Sequence, residues 1–211
     1  NMNKNRNSRT APLVMIAIVV VVAIFALFML AKSLLDSSST EAPTKKKETN
    51  ITTEALLNTA TDRGIEMIVR GPLVSQENFR SYRIVVTPVK RTMVVYEGYL
   101  GKVLAEKSYD NNAKAYEEMV YALNRMNFMK DAPFDGDKND MRGVCPKGNI
   151  LEFKLLNGNN VTKHLWKSTC GDQPGSYKGN TNEPAELIRN QINDFSELKP
   201  KTGSLGKSDL F

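Results

Sequence analysis

The hydrophobic positions of this chain follow three different spacings, and the first is an unbroken apolar run. Residues 11–31 hold 21 consecutive residues without a charged side chain. A helix of this length spans roughly 30 Å at ~1.5 Å per residue, which matches the hydrocarbon core of a bilayer. The run therefore predicts a single transmembrane anchor that contacts the lipid bilayer through residues 11–31.

The charges beside this run predict its orientation. Lys4, Arg6 and Arg9 precede it, and every Asp and Glu follows it. By the positive-inside tendency, residues 1–10 form a cytoplasmic tail and the rest of the chain lies outside the cytoplasm, attached to the cell membrane. Lys32 and the run Lys45–Lys47 oppose this orientation more weakly, because most of these lysines are separated from the apolar run by a long stretch of linker.

A cleaved secretory signal peptide is the alternative to an anchor. Signal peptides have an apolar core of roughly 7–15 residues and a small-x-small cleavage site. The run here is longer, and Met29 occupies the position where a small residue would precede Ala31. Both features favour an uncleaved anchor.

Two polar segments, residues 32–51 and 199–211, flank the part of the chain with periodic hydrophobic positions. Residues 32–51 are rich in Ser, Thr and Lys, so they cannot bury a core and are predicted to be a linker. Residues 199–211 lack periodicity and are predicted to be a flexible tail. Between them, residues 52–198 are predicted to form one domain.

The second spacing is a period of two, which predicts half-buried strands. Successive strands separated by turns favour an antiparallel meander. The alternating positions are Ile65, Met67 and Val69, then Tyr82, Ile84 and Val86, then Met93 and Val95, with Val103-Leu104-Ala105 as a further candidate.

The third spacing is three to four residues, which predicts helices. A short helix over Thr52–Arg63 is predicted to end at Gly64 as its C-cap. Asn111 or Asn112 is expected to cap a second helix, and a third begins near Glu183-Pro184. Together with the strands, these helices predict an α+β fold. The apolar positions of the second helix are Tyr116, Met119, Val120, Leu123 and Met126, and those of the third are Leu187, Ile188, Ile192 and Phe195.

Asn157-Gly158 predicts a β-hairpin with a two-residue type I′ turn. With Asn157 and Gly158 as the turn, two residues face each other across the hairpin when their residue numbers add up to 315. This register places Leu151, Phe153, Leu155, His164 and Trp166 on one apolar face. It also opposes Glu152 to Lys163, Ile150 to Leu165 and Phe153 to Thr162.

The same register makes Cys145 and Cys170 cross-strand partners, so we expect a disulfide between them. Pro146 and Gly148 are expected to interrupt the pairing nearby, so the bond should join loops at the base of the hairpin. Two cysteines and a single histidine are too few for a structural zinc site.

Neither the net charge nor the single histidine indicates a catalytic or nucleic-acid-binding function. The formal charge is +6, and half of it comes from residues 1–10, which leaves a mildly basic domain without the signature of a nucleic-acid binder. His164, the one histidine, is expected to pack in the core rather than to act in catalysis. No cofactor motif is found.

An acidic segment resembles the start of an EF-hand calcium loop. It supplies candidate oxygen ligands from Asp135, Asp137, Asn139 and Asp140. The pattern then fails, because the sixth position should be Gly but is Asp140, and the twelfth should be Glu but is Pro146. A solvated acidic loop is the favoured interpretation, with a weak calcium site as the alternative.

Five short strings stand out along the chain: YRIVVTP (82–88), YEGYLG (96–101), GVCPKG (143–148), W-x-S-T-C (166–170) and NQI (190–192). Together they resemble a family of membrane-anchored envelope proteins from ultrasmall episymbiotic bacteria of the Saccharibacteria kind. The resemblance covers residues 65–198 and implies a bacterial envelope protein without an assigned activity. It carries over no catalytic residue.

These observations favour an anchored binding or assembly module of the cell envelope, with a protein or an envelope polymer as its partner. The alternative is an anchored hydrolase that acts on wall or peptide substrates through carboxylates such as Asp135, Asp137 or Glu152. Two converging carboxylates with shifted pKa values would favour the enzyme. An apolar patch or an open sheet edge would favour the module.

The predicted orientation can be tested with reporter fusions to the C-terminus of the full chain. Because the positive residues nearest the apolar run precede it, a C-terminal alkaline phosphatase should be active. A reporter that requires the cytoplasm should be inactive at the same position. An active cytoplasmic reporter would overturn the assignment.

Overall fold

The computed structural model describes residues 52–133, 139–171 and 175–200. The predicted anchor, tail and linker of residues 1–51 therefore lie outside the described residues, as do residues 201–211 of the predicted C-terminal tail. Among the helices of the described residues, none has the length and apolar character needed to cross a bilayer. The anchor at residues 11–31 stays a prediction.

The described residues form a six-stranded sheet in which every neighbouring pair is antiparallel. Its spatial order is β4-β3-β2-β1-β5-β6, so a four-stranded meander and a hairpin meet at β1. This confirms the predicted antiparallel sheet of an α+β fold. The strands are β1 (Arg63–Arg70), β2 (Arg80–Val86), β3 (Lys90–Glu97), β4 (Lys102–Asp110), β5 (Ile150–Asn157) and β6 (Asn160–Ser168).

Helices cover one face of this sheet. They include α1 (Ala113–Arg125), α2 (Asn182–Arg189) and the single turn α3 (Phe195–Leu198). Asn112 caps α1, because its side chain accepts a hydrogen bond of 2.9 Å from the backbone N–H of Ala115. The predicted stripe of α1 is buried against the sheet, and the shared core includes Tyr116, Met119, Val120 and Leu123 with Ile65, Met67, Ile84, Met93 and Phe153.

Two predicted helices have different bounds in the structure. Residues 52–57 are helical, but β1 begins at Arg63, so Gly64 is a strand residue that pairs with Leu156 and not a C-cap. The predicted third helix is divided into α2 and α3, and Ile192 lies between them, buried in the core. In both places the sheet and core packing override the local helical pattern.

The predicted hairpin register is wrong. The turn is Gly158-Asn159, with Gly158 at a φ of +57°, and Asn157 pairs with Asn160. A bulge between Leu155 and Leu156 then shifts the pairing further.

Beyond the bulge, the pairing differs from the predicted register by an odd number of residues. The side chains of β6 there lie on the face opposite to the predicted one. Phe153 pairs with Leu165, and both lie in the core. Trp166 and His164 lie on the opposite face of the sheet. Glu152 pairs with Trp166 rather than Lys163, and Ile150 pairs with Ser168 rather than Leu165.

The predicted disulfide is confirmed. The Cα atoms of Cys145 and Cys170 are 5.4 Å apart, and the bond joins loops just beyond the ends of β5 and β6. The loop packs tightly there: a Cβ on Gly148 would lie 2.7 Å from the Cys145 sulfur and 2.3 Å from the Thr169 hydroxyl. A side chain at Gly148 would therefore displace the loop.

Replacing both cysteines with serine should lower the free energy of unfolding by roughly 3–4 kcal/mol, because the bond closes a loop of about 25 residues. Thermal and denaturant unfolding of a fragment of residues 45–211, which includes every described residue, would measure the loss. Reductant should bring the wild type to the stability of the double variant and leave the variant unchanged. Equal stability of the two proteins without reductant would contradict this role.

Candidate functional site

The face of the sheet opposite the helices carries charged residues, and we call it the polar face. Cross-strand pairing brings side chains from β1, β2, β5 and β6 into adjacent rows on this face. One row contains Arg83, Ile68, Glu152 and Trp166, and the next contains Glu66, Lys154 and His164.

Glu152 is the most buried charged side chain of this face, with 2% of its side chain exposed. Three cationic or polar groups surround its carboxylate. Arg70 donates from Nε to Oε1, His164 Nε2 lies 2.9 Å from Oε2, and Lys154 Nζ lies 4.0 Å from Oε2. A buried carboxylate needs such partners, because an unpaired charge is costly to remove from water.

Glu66 extends this arrangement across the sheet. Its carboxylate lies 2.8 Å from Lys154 Nζ and 3.7 Å from a guanidinium nitrogen of Arg83. Opposite charges therefore alternate on neighbouring strands. We call this set the charge network, and its members are Arg83, Glu66, Lys154, Glu152, Arg70 and His164.

The charge network keeps Glu152 ionised. Burial acts to raise the pKa of Glu152, but the hydrogen bond with His164 and the charge of Arg70 outweigh it and hold this pKa below its usual value of 4.5. A general acid needs the opposite shift. His164, expected in the core, is instead a partner of this carboxylate on the polar face.

A cleft with a volume of about 460 Å³ lies at the end of the sheet where β1 ends and β5 begins, and we call it the end cleft. Its size falls within the range of small-ligand sites. Arg70 provides a cation from the charge network. Apolar walls come from Leu73, Phe79, Tyr99 and Ile150, and residues 139–145 form the remaining side.

Backbone and ring contacts hold the walls of the end cleft together. The N–H of Leu73 donates to the carbonyl of Pro146 at 2.8 Å, which ties the β1–β2 loop to the loop that carries Cys145. The Tyr99 hydroxyl donates to the carbonyl of Val74 at 2.6 Å, and the rings of Phe79 and Tyr99 stack with centroids 4.2 Å apart. The β1–β2 loop is therefore bonded to both of the other segments that line the end cleft.

A second, smaller cleft of about 230 Å³ adjoins the end cleft, and we call it the side cleft. The two clefts share Arg70, Phe79 and Tyr99. Across the polar face the side cleft is lined by strand residues that include Ile68, Ser81, Arg83 and Tyr96. Arg70 thus lies at the junction of an apolar cleft and a more polar one.

Half of the four candidate calcium ligands fall within the described part of the chain. Asp135 and Asp137 lie outside it. Asn139 accepts a hydrogen bond of 2.8 Å from the indole N–H of Trp166, and Asp140 pairs with Arg142, which lowers the pKa of Asp140 to about 2. Among residues 52–133, 139–171 and 175–200, no cluster of three His, Cys, Asp or Glu side chains could hold a metal ion.

The residues that form the end cleft were missed in the sequence because they come from distant segments. Arg70 precedes Gly71-Pro72, and Tyr99 lies in the turn between β3 and β4. A weak signal was present, because aromatic and apolar residues at turns are unusual unless they pack or bind. Only the strand order shows that these turns lie beside the disulfide.

No protein-family model matches the chain, and no curated protein resembles it significantly.

The charge network predicts an acid-dependent contribution of Glu152 to stability. Glu152→Gln should lower the free energy of unfolding by about 1–3 kcal/mol at neutral pH, because its cationic partners lose their carboxylate. Because the native pKa lies below 4.5, the stabilisation is complete above that pH and is lost as pH falls through the native value. Denaturant titrations across this range would measure the difference from wild type.

Glu106→Gln is the matched control, since Glu106 is exposed on β4 and lies outside the charge network. It should leave the free energy of unfolding nearly unchanged at every pH. A Glu152→Gln penalty that persists undiminished in acid would show that the carboxylate charge is not what stabilises the sheet.

Proposed function

We propose that this protein is a membrane-anchored binding module of the cell envelope. Residues 11–31 hold it in the cell membrane, the domain lies outside the cytoplasm, and the end cleft is its ligand site. The observation that carries the proposal is an apolar cleft with firmly connected walls and an arginine at its edge.

The chemistry of the cleft favours binding over catalysis. Cys145 contributes to the lining but is bonded to Cys170, so it offers no thiolate nucleophile. Glu152 and Glu66 are separated by Lys154 and held by cations, so in the described residues they do not form a pair that shares a proton. The alternative of a carboxylate hydrolase receives no support from Glu152.

The attachment point of the domain also suits a binding role. Thr52, the first described residue, accepts a hydrogen bond of 3.0 Å from Lys163 Nζ near the end of the sheet where β1 begins. The end cleft lies where β1 ends. The first described residue of the domain therefore lies towards the end of the sheet opposite the end cleft.

The proposal can be tested by filling the end cleft. Val144 lines the cleft and is half-buried, so Val144→Trp should occupy the space with an indole ring. Full-length wild type and variant, reconstituted in lipid nanodiscs, would be incubated with peptide and wall-fragment fractions released from the envelope. Bound molecules would be identified by mass spectrometry and their dissociation constants measured by calorimetry.

We expect Val144→Trp to weaken binding by about tenfold or more while the melting temperature stays close to that of the wild type. The matched control is Val89→Trp, which adds the same ring to an exposed position between β2 and β3 at the other end of the sheet. It should bind like wild type. Ligands that bind Val144→Trp as tightly as the control would overturn the end cleft as the binding site.

A further inference from the structure

We propose that the end cleft binds the C-terminal residue of a peptide, with an apolar side chain in the cleft and the free carboxylate on Arg70. This inference rests on the proposed function, since it names the ligand class of the same cleft. It goes beyond that function by assigning a recognition role to one side chain.

Arg70 is held in a way that leaves part of its guanidinium available. Its Nε is bonded to buried Glu152, which fixes the plane of the group. Nη1 and Nη2 have no hydrogen-bond partner among the described residues, and 43% of the side chain is exposed at the junction of the two clefts. Two parallel N–H donors of this kind match the two oxygens of a carboxylate.

The charge network as a whole carries an unbalanced positive charge. Arg70, Arg83 and Lys154 face the two carboxylates of Glu66 and Glu152, so the cations are in excess before His164 is counted. An anionic ligand on Arg70 would balance that excess.

The walls indicate a single carboxylate rather than a phosphate group. A second arginine of the end cleft, Arg142, is engaged through Nε and Nη2 by Asp140. Within the end cleft, the other side chains beside Arg70 are largely apolar, with Phe79, Tyr99 and Ile150 among them. Removing a dianionic phosphate from water would therefore cost more free energy than contact with one guanidinium edge recovers. A carboxylate, which carries a single negative charge beside an apolar group, suits the site.

The junction position of Arg70 favours a peptide over a simple fatty acid. The Cα of a C-terminal residue has three branches: its carboxylate, its side chain and the preceding chain. With the carboxylate on Arg70, an apolar side chain fills the end cleft, and the preceding backbone lies along the side cleft. Ser81, Arg83 and Tyr96 offer polar groups there for peptide N–H and C=O groups. A fatty acid would leave the side cleft empty.

The test uses the full chain in lipid nanodiscs and N-acetylated tripeptides that end in leucine, supplied as the free acid and as the C-terminal amide. Isothermal titration calorimetry should show the acid binding about 10- to 100-fold more tightly than the amide, since a charge-assisted bidentate contact is lost in the amide. Octanoate and inorganic phosphate serve as competitors, and each should displace the acid weakly.

Arg70→Gln and Arg70→Lys should reduce the acid-to-amide ratio to nearly one. The lysine variant keeps a charge beside Glu152 and guards against an effect of misfolding, which melting curves would reveal. Arg125→Gln, which removes the same charge from the exposed side of α1, should keep the wild-type ratio.

Equal binding of acid and amide to wild type, or no binding of either, overturns this inference. So does an unchanged ratio in both Arg70 variants, or competition by octanoate or phosphate as strong as that of the tripeptide acid. None of these results affects the proposed function, which depends on the separate comparison of Val144→Trp with Val89→Trp.

Discussion

The polar face of the sheet is organised around one constraint, the burial of the Glu152 carboxylate on β5. A charge that is 2% exposed has to be neutralised where it lies, so β1, β5 and β6 all direct donors towards it. The same requirement fixes the plane of the Arg70 guanidinium at the end of β1. Structural stability and the proposed recognition of an anion thus depend on a single side chain.

Much of the fold follows from local patterns, because alternation and helical spacing report burial directly. The strands of the meander and the stripe of α1 were predictable in this way. The Cys145–Cys170 bond was predictable because the chain has two cysteines, although the hairpin register that was also used to pair them is wrong. The hairpin register was not, because Gly158-Asn159 competes with Asn157-Gly158 as the turn. A bulge after Leu155 adds a further offset that no dipeptide signal contains.

The charge network and the end cleft could not be predicted for a different reason. Arg70, Tyr99 and Cys145 are far apart in the sequence, and nothing in their local contexts links one to another. They meet because β1 pairs with both β2 and β5, a choice of neighbours that depends on the packing of the whole sheet. Glu152 was considered as a catalytic carboxylate, yet its role depends on a register that the sequence pattern misassigned.

The central position of β1 also has a consequence for how the chain folds. β1 can pair with β2 after a short loop. Its other edge stays unpaired until β5 reaches it, since Arg70 pairs with Ile150 and Gly64 with Leu156. Closing so long a loop is entropically slow compared with forming the meander. A half-folded chain therefore exposes the edge of β1, with Ile65, Met67 and Val69 unprotected, during the interval in which chaperones and aggregation compete for it.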